Sequence, residues 1–180
     1  MGNTDNCQIR QFQFEGATYH SCEQAYQALK FEAGAARDAV QAIVPKAGES
    51  DGQHGMNCWA AGQIGTTRAD WDHAKLGVML AVNRAKYAQH ADLRAELLAT
   101  ADAEIQGSPS TTWKHPVNGT EQFWEQWNGR VQMLIREELR SPDQQRPDVL
   151  RQLNHHFDSY GGETVEPGPP LSNKKCCSVM

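Results

Sequence analysis

The chain has 180 residues, of which 39% are hydrophobic and 22% are charged, a composition typical of a soluble protein with a sizeable core. A formal net charge of -5 argues against a surface that grips nucleic acid through its phosphates, because such a surface needs clustered Lys and Arg. No apolar run approaches the roughly 20 residues of a membrane span, and the amino terminus lacks the apolar segment of a secretory signal. We therefore expect one globular domain that stays in the cytosol.

The cysteines do not form a recognisable framework. Their number is odd and no two have the C-x-x-C spacing, at Cys7, Cys22, Cys58, Cys176 and Cys177. This pattern predicts neither a set of disulfides nor a zinc site, and it fits a reducing compartment. We expect no metal ion and no cofactor.

The first predicted elements are a hairpin and a helix. From Phe12 to Tyr19, apolar and polar side chains alternate around a glycine, which predicts a small hairpin. Ser21 then offers an N-cap, with Gln24 as its capping-box partner. A helix is expected to begin there and to end near Gly34.

Helices dominate the middle of the chain. Glycines between short apolar pieces in residues 38–63 predict short helices joined by loops. Asp70 can cap a long helix from Trp71 to about Gln89, and another helix begins at Leu93.

Two amphipathic helices follow toward the carboxyl terminus. From Glu121 onward, apolar residues three or four apart form the stripe of a buried helix, at Phe123, Trp127, Val131, Leu134 and Ile135. Pro147 and Gly161 bracket a last helix. The predicted fold class is mainly α with a minor β element (α+β). It forms one domain over residues 1–161, followed by a disordered tail over residues 162–180.

The helix after Ser21 carries an unusual polar stripe. At 100° per residue, Glu23, Gln27 and Lys30 fall within about 60° of one another. The offset between the acid and the amine is about 10.5 Å of helical rise, too long for the usual salt bridge, yet both side chains can converge on a ligand. A solvated outer face would have the same pattern, so the stripe alone leaves both explanations open.

Several motifs follow one another in the order of a known family. SCEQAYQALKF matches S-x-E-x-x-x-Q-x-x-K-F, and TDNCQIRQFQFEG is similar to an S-N-F segment followed by an aromatic strand, with Asn6 on the Asn. TTRADWDHAKLGVM resembles R-x-x-W-x-x-x-K-x-x-V-M through Arg68, Trp71, Lys75 and Met79, and AKYAQHADLRAELLAT and MLIREEL continue the match. Over residues 4 to about 140, the chain thus resembles the NADAR superfamily of YbiA-like N-glycosidases.

The chain departs from this family where a second carboxylate is expected. The family's D-x-x-W-G aligns with Glu121-Gln-Phe-Trp124-Glu, so Glu replaces Asp and the glycines are missing. The family's Gly-Arg pair stands here as Gly62-Gln63. We expect the choice of substrate to differ from that of the bacterial riboflavin-pathway members.

The resemblance implies cleavage of an N-glycosidic bond, with removal of ADP-ribose from guanine in DNA, RNA or nucleotides. Such a reaction develops positive charge on the sugar and negative charge on the departing base, so it needs a carboxyl group that moves a proton. Glu23 is the acid/base candidate. Lys30 is the candidate nucleophile, which would form a Schiff base after the sugar ring opens. A charged Lys30 that binds phosphate or ribose is the alternative role.

Further residues are candidates for substrate binding. Trp71 and Trp124 can sandwich a base between their faces, although tryptophans at helical spacing also serve in cores. Arg68 can hold a diphosphate and Asn6 can orient ribose hydroxyls, against the simpler roles of a surface arginine and a turn cap. The predicted set is completed by Gln27 and Glu121.

Two rival functions remain open beside this one. The first is hydrolysis of a ribosylaminopyrimidine of the riboflavin pathway. The second is an ADP-ribose-binding module that does not cut. In each case we expect a monomer.

The carboxyl-terminal sequence SNKKCCSVM ends in a C-a-a-X box, and its final Met180 predicts farnesylation of Cys177. Cys176 is a palmitoylation candidate, and Lys174 and Lys175 would attract anionic lipid. A chance match is the alternative. The motif predicts a eukaryotic protein that a lipid anchor holds at the cytosolic face of a membrane.

Overall fold

A computed structural model describes residues 5–161, which form seven helices and two short antiparallel hairpins. The hairpins pair β1 (Phe12–Phe14) with β2 (Ala17–Tyr19), and β3 (Thr112–Lys114) with β4 (Glu121–Phe123). The helices are α1 (Cys22–Leu29), α2 (Ala35–Gln41), α3 (Asp51–Ala61), α4 (Trp71–Gln89), α5 (Ala91–Ala99), α6 (Trp124–Leu139) and α7 (Pro147–Gly161). The predicted α+β fold class, mainly helical with a minor β element, is confirmed.

Hydrogen bonds of Ser21 and Gln24 fix the start of α1. The Ser21 hydroxyl accepts a hydrogen bond from the Gln24 backbone N–H at 3.0 Å, as the N-cap prediction requires. The Gln24 side chain accepts one from the His20 N–H at 2.6 Å and donates to the carbonyls of Val40 and Ile43. Because those carbonyls lie at the end of α2 and just beyond it, this buried amide ties the two helices together.

The polar stripe of α1 is not a solvated outer face. Helix α1 packs against α2, α3 and α4, and its Ala25, Ala28 and Leu29 lie in the main hydrophobic core. On the stripe itself, Gln27 is only 3% exposed and Lys30 only 8%. Burial of polar groups is costly unless they are satisfied or have a function, so the stripe calls for an explanation beyond solubility.

Two predicted boundaries were wrong. Helix α1 ends at Leu29 instead of near Gly34, because Lys30 caps it and Gly34, with a φ of 143°, precedes α2. The helix expected from Glu121 begins only at Trp124. Residues 121–123 are extended and pair with β3, where Phe123 lies opposite Thr112.

The carboxyl-terminal predictions lie outside the described residues. These include the disordered tail, the lipidation candidates Cys176 and Cys177, and the neighbouring lysines. Within residues 5–161, every helix is too short or too polar to cross a bilayer.

Candidate active site

A cavity of about 680 Å³ opens beside α1. Its walls come from residues 5–7, from helices α1, α3 and α6, and from the loop 105–111. All three members of the polar stripe, Glu23, Gln27 and Lys30, line this cavity. Its volume is that of a site for a small molecule or a nucleotide-sized group.

Glu23 lies in the first turn of α1 with its carboxyl group held in place. Its backbone N–H donates to the carbonyl of Asn6 at 2.9 Å, and its Oε1 accepts a hydrogen bond from Gln27 Nε2 at 2.7 Å. Burial raises the pKa of Glu23, and it outweighs the opposite effects of the Gln27 hydrogen bond and the Lys30 charge. Glu23 therefore keeps its proton to a higher pH than an ordinary glutamate, as a general acid requires.

Lys30 caps the other end of the same helix. Burial lowers the pKa of its amine, while the nearby Glu23 charge acts in the opposite direction. No ion pair formed within residues 5–161 includes Lys30. A buried, unpaired lysine has a larger neutral fraction than an exposed one, and the neutral amine is the nucleophilic form.

The two predicted stacking residues occupy different places. Trp124 lines the cavity, whereas Trp71 is 8% exposed and is not part of the cavity wall. Tyr26 lies between them, with its ring centroid 4.9 Å from that of Trp71 and 5.3 Å from that of Trp124. Trp71 thus supports the cavity wall through Tyr26, and the structure does not bring the two indoles together as a sandwich.

Arg68 and Glu121 also lie outside the cavity wall. The Arg68 guanidinium forms an ion pair with Asp70 at 2.5 Å, and Asp70 consequently gives no side-chain cap to α4. The backbone N–H of Arg68 donates to the carbonyl of Lys30 at 2.9 Å, so this residue holds the end of α1. Glu121 is exposed in β4, opposite Lys114.

Asn6 lines the cavity and is less than a tenth exposed. Its Oδ1 accepts a hydrogen bond from Asn83 Nδ2 at 3.0 Å, and its own Nδ2 donates to Asn128 Oδ1 at 2.6 Å. The side-chain amide of Asn6 thus links Asn83 of α4 to Asn128 of α6.

Several residues of the cavity wall were missed in the sequence. Helix α6 contributes Asn128 and Gln132 in addition to Trp124, and α3 contributes Met56 and Trp59 at the rim. Met56 is 57% exposed and Trp59 41%. The spacing of four residues on α6 could have revealed Asn128 and Gln132, because it places them on the same face as Trp124.

Metal ligands are a separate question from the cavity. In the described part of the chain, no cluster of three or more His, Cys, Asp or Glu side chains is arranged to hold a metal ion. The cysteines described here, Cys7, Cys22 and Cys58, are free thiols. The cavity wall thus includes an acid with a raised pKa and an amine with a lowered pKa, beside the Asp5 carboxyl group and the Cys7 thiol.

Comparisons with known proteins agree with the sequence motifs. The family model of the NADAR domain matches residues 3–140. N-glycosidase YbiA of Shigella flexneri serotype 5b (strain 8401) is 30% identical over 109 residues, and the same protein of Shigella flexneri gives the same values. The match spans 58% of this chain and 61% of the length of these relatives.

A solved structure has a similar fold. The NMR structure of the E. coli protein YbiA superposes with a TM-score of 0.54 and 22% identity, covering 93% of this chain and 84% of that one. At this identity the likeness concerns the fold. The family model covers far more than half of the chain, including all of α1 and the whole cavity wall, and on this ground the chain belongs to the NADAR domain family.

Proposed function

We propose that this protein is an N-glycosidase that removes ADP-ribose from ADP-ribosylated guanine in nucleic acid or nucleotides. The observation that carries the proposal is the presence of Glu23 and Lys30, from one helix, on the wall of one cavity. The N-glycosidase relatives support glycosidic chemistry in general. The choice of ADP-ribosylated guanine rests on the resemblance of the motifs.

In the first step, the bond between the anomeric carbon and the guanine nitrogen breaks, and its electron pair stays on the nitrogen. Glu23 gives its proton to that nitrogen, and the raised pKa of Glu23 keeps this proton to a higher pH than in an ordinary glutamate. Lys30 Nζ donates its lone pair to the anomeric carbon, and the proton that it loses returns to the Glu23 carboxylate.

In the second step, the sugar ring opens. The ring oxygen leaves the anomeric carbon and takes the proton that Glu23 regained, while the lone pair of Lys30 Nζ forms the C=N bond of a protonated Schiff base to this carbon. Water then adds to the Schiff base, the amine leaves, and free ADP-ribose is released.

The loop 105–111 supports the recognition of phosphate. It contributes Ser108, Ser110 and Thr111 to the cavity wall, and Gly107 lies close to α6. Hydroxyl and backbone N–H groups are good donors to phosphate oxygens. In this proposal, the loop binds the diphosphate, the role first predicted for Arg68.

Turnover of defined substrates tests the proposal. The purified protein is incubated with ADP-ribosylated guanosine monophosphate, and ADP-ribose and guanosine monophosphate are quantified by chromatography. We expect both products in equal amounts. Activity restricted to a ribosylaminopyrimidine would favour the riboflavin-pathway reaction, and tight ADP-ribose binding without product release would favour a binding module.

A membrane anchor is a separate part of the proposal and rests on the sequence alone. Farnesylation of Cys177, with Cys176 as a second acylation site, would hold the domain at the cytosolic face of a membrane. One lipid chain gives marginal binding, so the second cysteine or the neighbouring lysines would be needed for stable attachment.

A further inference from the structure

Buried side chains beside the cavity form a chain of hydrogen bonds that runs in one direction. Tyr87 donates to Gln132 Oε1 at 2.6 Å, and Gln132 Nε2 donates to Asn83 Oδ1 at 3.1 Å. Asn83 Nδ2 donates to Asn6 Oδ1 at 3.0 Å, and Asn6 Nδ2 donates to Asn128 Oδ1 at 2.6 Å. Tyr87 and Asn83 are fully buried and Gln132 nearly so, so water does not compete for these bonds.

One backbone carbonyl fixes the donor and acceptor roles in all these hydrogen bonds. Asn83 Nδ2 also donates to the carbonyl of Met79 at 2.9 Å. A backbone carbonyl can only accept, so the atom of Asn83 that faces it must be the nitrogen. The same nitrogen faces Asn6, which must therefore present its oxygen to Asn83 and its nitrogen to Asn128.

Asn128 is the last residue in this series of hydrogen bonds, and its orientation is fixed by the others. Its Oδ1 is occupied by Asn6, and within residues 5–161 its Nδ2 has no hydrogen-bond partner. Asn128 lines the cavity. It therefore presents an N–H donor to whatever the cavity binds, and it cannot turn its oxygen there without breaking the bond to Asn6.

Trp124 precedes Asn128 by one turn of α6 and lines the same cavity. Four residues correspond to about 6 Å of helical rise, roughly the distance from the middle of a stacked base to its edge groups. An aromatic face beside an edge donor is the usual arrangement for recognising an unpaired base. Guanine carries a carbonyl oxygen at the position where adenine carries an amino group, so a donor distinguishes the two.

We propose that Asn128 Nδ2 donates a hydrogen bond to the carbonyl oxygen of a guanine that lies against Trp124, and that Asn83 and Asn6 hold it in this orientation. The assignment rests on the proposed function and adds a specificity-determining residue to it. Asn128 selects guanine through its carbonyl group, and Asn83 is a positioning residue.

A double-mutant cycle between the protein and the substrate tests the contact. Asn128→Asp has nearly the same shape and still accepts from Asn6, but it has no donor. The substrates are ADP-ribosylated guanosine monophosphate and its 2-aminopurine analogue, which keeps the amino group and lacks the carbonyl. The two bases also differ as leaving groups, but this difference is common to both proteins, so the contact is read from the change of the kcat/KM ratio. We expect the ratio of guanine to 2-aminopurine substrate to fall about five- to tenfold from the wild-type protein to Asn128→Asp, as for loss of one neutral hydrogen bond.

Asn154→Asp is the matched control, since it makes the same change of charge on α7, outside the cavity wall. It should keep the wild-type preference. Product release from both substrates with the same kcat/KM ratio in Asn128→Asp as in the wild-type protein would overturn the role of Asn128 and leave the proposed function intact.

If the wild-type protein releases no product, the proposed function fails, and binding still tests Asn128. The side-chain amide signals of Asn128 are assigned in a ¹H–¹⁵N spectrum by their loss in Asn128→Asp. The protein is then titrated with guanosine monophosphate and with the 2-aminopurine nucleotide. A shift of the Asn128 amide with the first ligand alone supports the contact, and equal shifts or none with both refute it.

Discussion

The replacement Gly62→Ala tests whether packing behind α1 controls the acid. Gly62 follows α3 with a φ of -67°, so alanine can adopt its backbone conformation. A Cβ atom at this position would nevertheless lie 2.0 Å from Gln27 Oε1, 2.8 Å from its Cδ and 3.0 Å from its Cβ. Rotation of the Gln27 side chain does not move its Cβ atom. The backbone at Gln27 must therefore shift, or α1 and α3 must move apart.

Both responses have a measurable cost. Overpacking of this kind destabilises a core by about 1–3 kcal/mol. Displacement of Gln27 also removes its hydrogen bond to Glu23, which at present lowers the pKa of that carboxyl group. Without this bond, the pKa of Glu23 rises further above its ordinary value. The fall of activity at the basic side of the pH profile should then move to higher pH, because Glu23 is the proton donor in the proposed mechanism.

Gly77→Ala is the matched control. Gly77 lies within α4, and a Cβ atom there would meet no atom within 4 Å, so alanine should stabilise the helix by about 0.5–1 kcal/mol. The free energy of unfolding is measured in urea for both variants, and kcat/KM is measured from pH 5 to 9. A Gly62→Ala protein with unchanged stability and an unchanged pH profile would refute the link between Gly62, Gln27 and Glu23.

Three further predictions concern the acid, the amine and the tail. Glu23→Gln should lower kcat by at least about a hundredfold while ADP-ribose affinity is kept. It should also raise Tm at pH 7 but not at pH 3. The reason is that a Glu23 pKa raised in the folded state destabilises the protein only above the pKa of the unfolded state, near 4.5. An equal gain of Tm at both pH values would contradict this. Lys30→Ala and Lys30→Arg should both abolish borohydride trapping of an enzyme–sugar adduct, since arginine stays protonated, and an undiminished adduct in either would assign the nucleophile to another residue. Cys177→Ser should abolish farnesyl incorporation in a eukaryotic cell, as read by mass spectrometry, and continued incorporation would exclude the C-a-a-X prediction.

Much of the fold could be predicted from patterns among residues that are close together in the sequence. The N-cap at Ser21 and the span of α4 were predicted because capping and helical periodicity depend on residues within a few positions. The second hairpin was missed although Asn118-Gly119 is a strong turn signal, with Gly119 at a φ of 69°. The apolar spacing of Phe123 and Trp127 masked it, since the strand leads directly into α6.

The site was predicted less completely because it depends on long-range packing. Glu23, Gln27 and Lys30 could be grouped by helical geometry alone, since they share one helix. The place of Tyr26 between the two tryptophans depends on side-chain packing that no spacing reveals. The same is true of Asn128, whose orientation is set by Met79, a residue on a different helix. The pairing of Arg68 with Asp70 is local, by contrast, and was missed.

The separation of Glu23 from Lys30 is itself necessary for the proposed chemistry. A direct ion pair would lower the pKa of the carboxyl group and raise that of the amine, and so remove both the proton donor and the nucleophile. The offset along α1 keeps the two groups apart, and Gln27 donates a neutral hydrogen bond to Glu23. Burial raises the pKa of the acid and lowers that of the amine, which are the directions that the proposed chemistry needs. A lysine at position 27 would preserve the helix and the polar stripe but would hold Glu23 ionised. In the proposed mechanism, a neutral amide at this position therefore keeps a positive charge away from the acid.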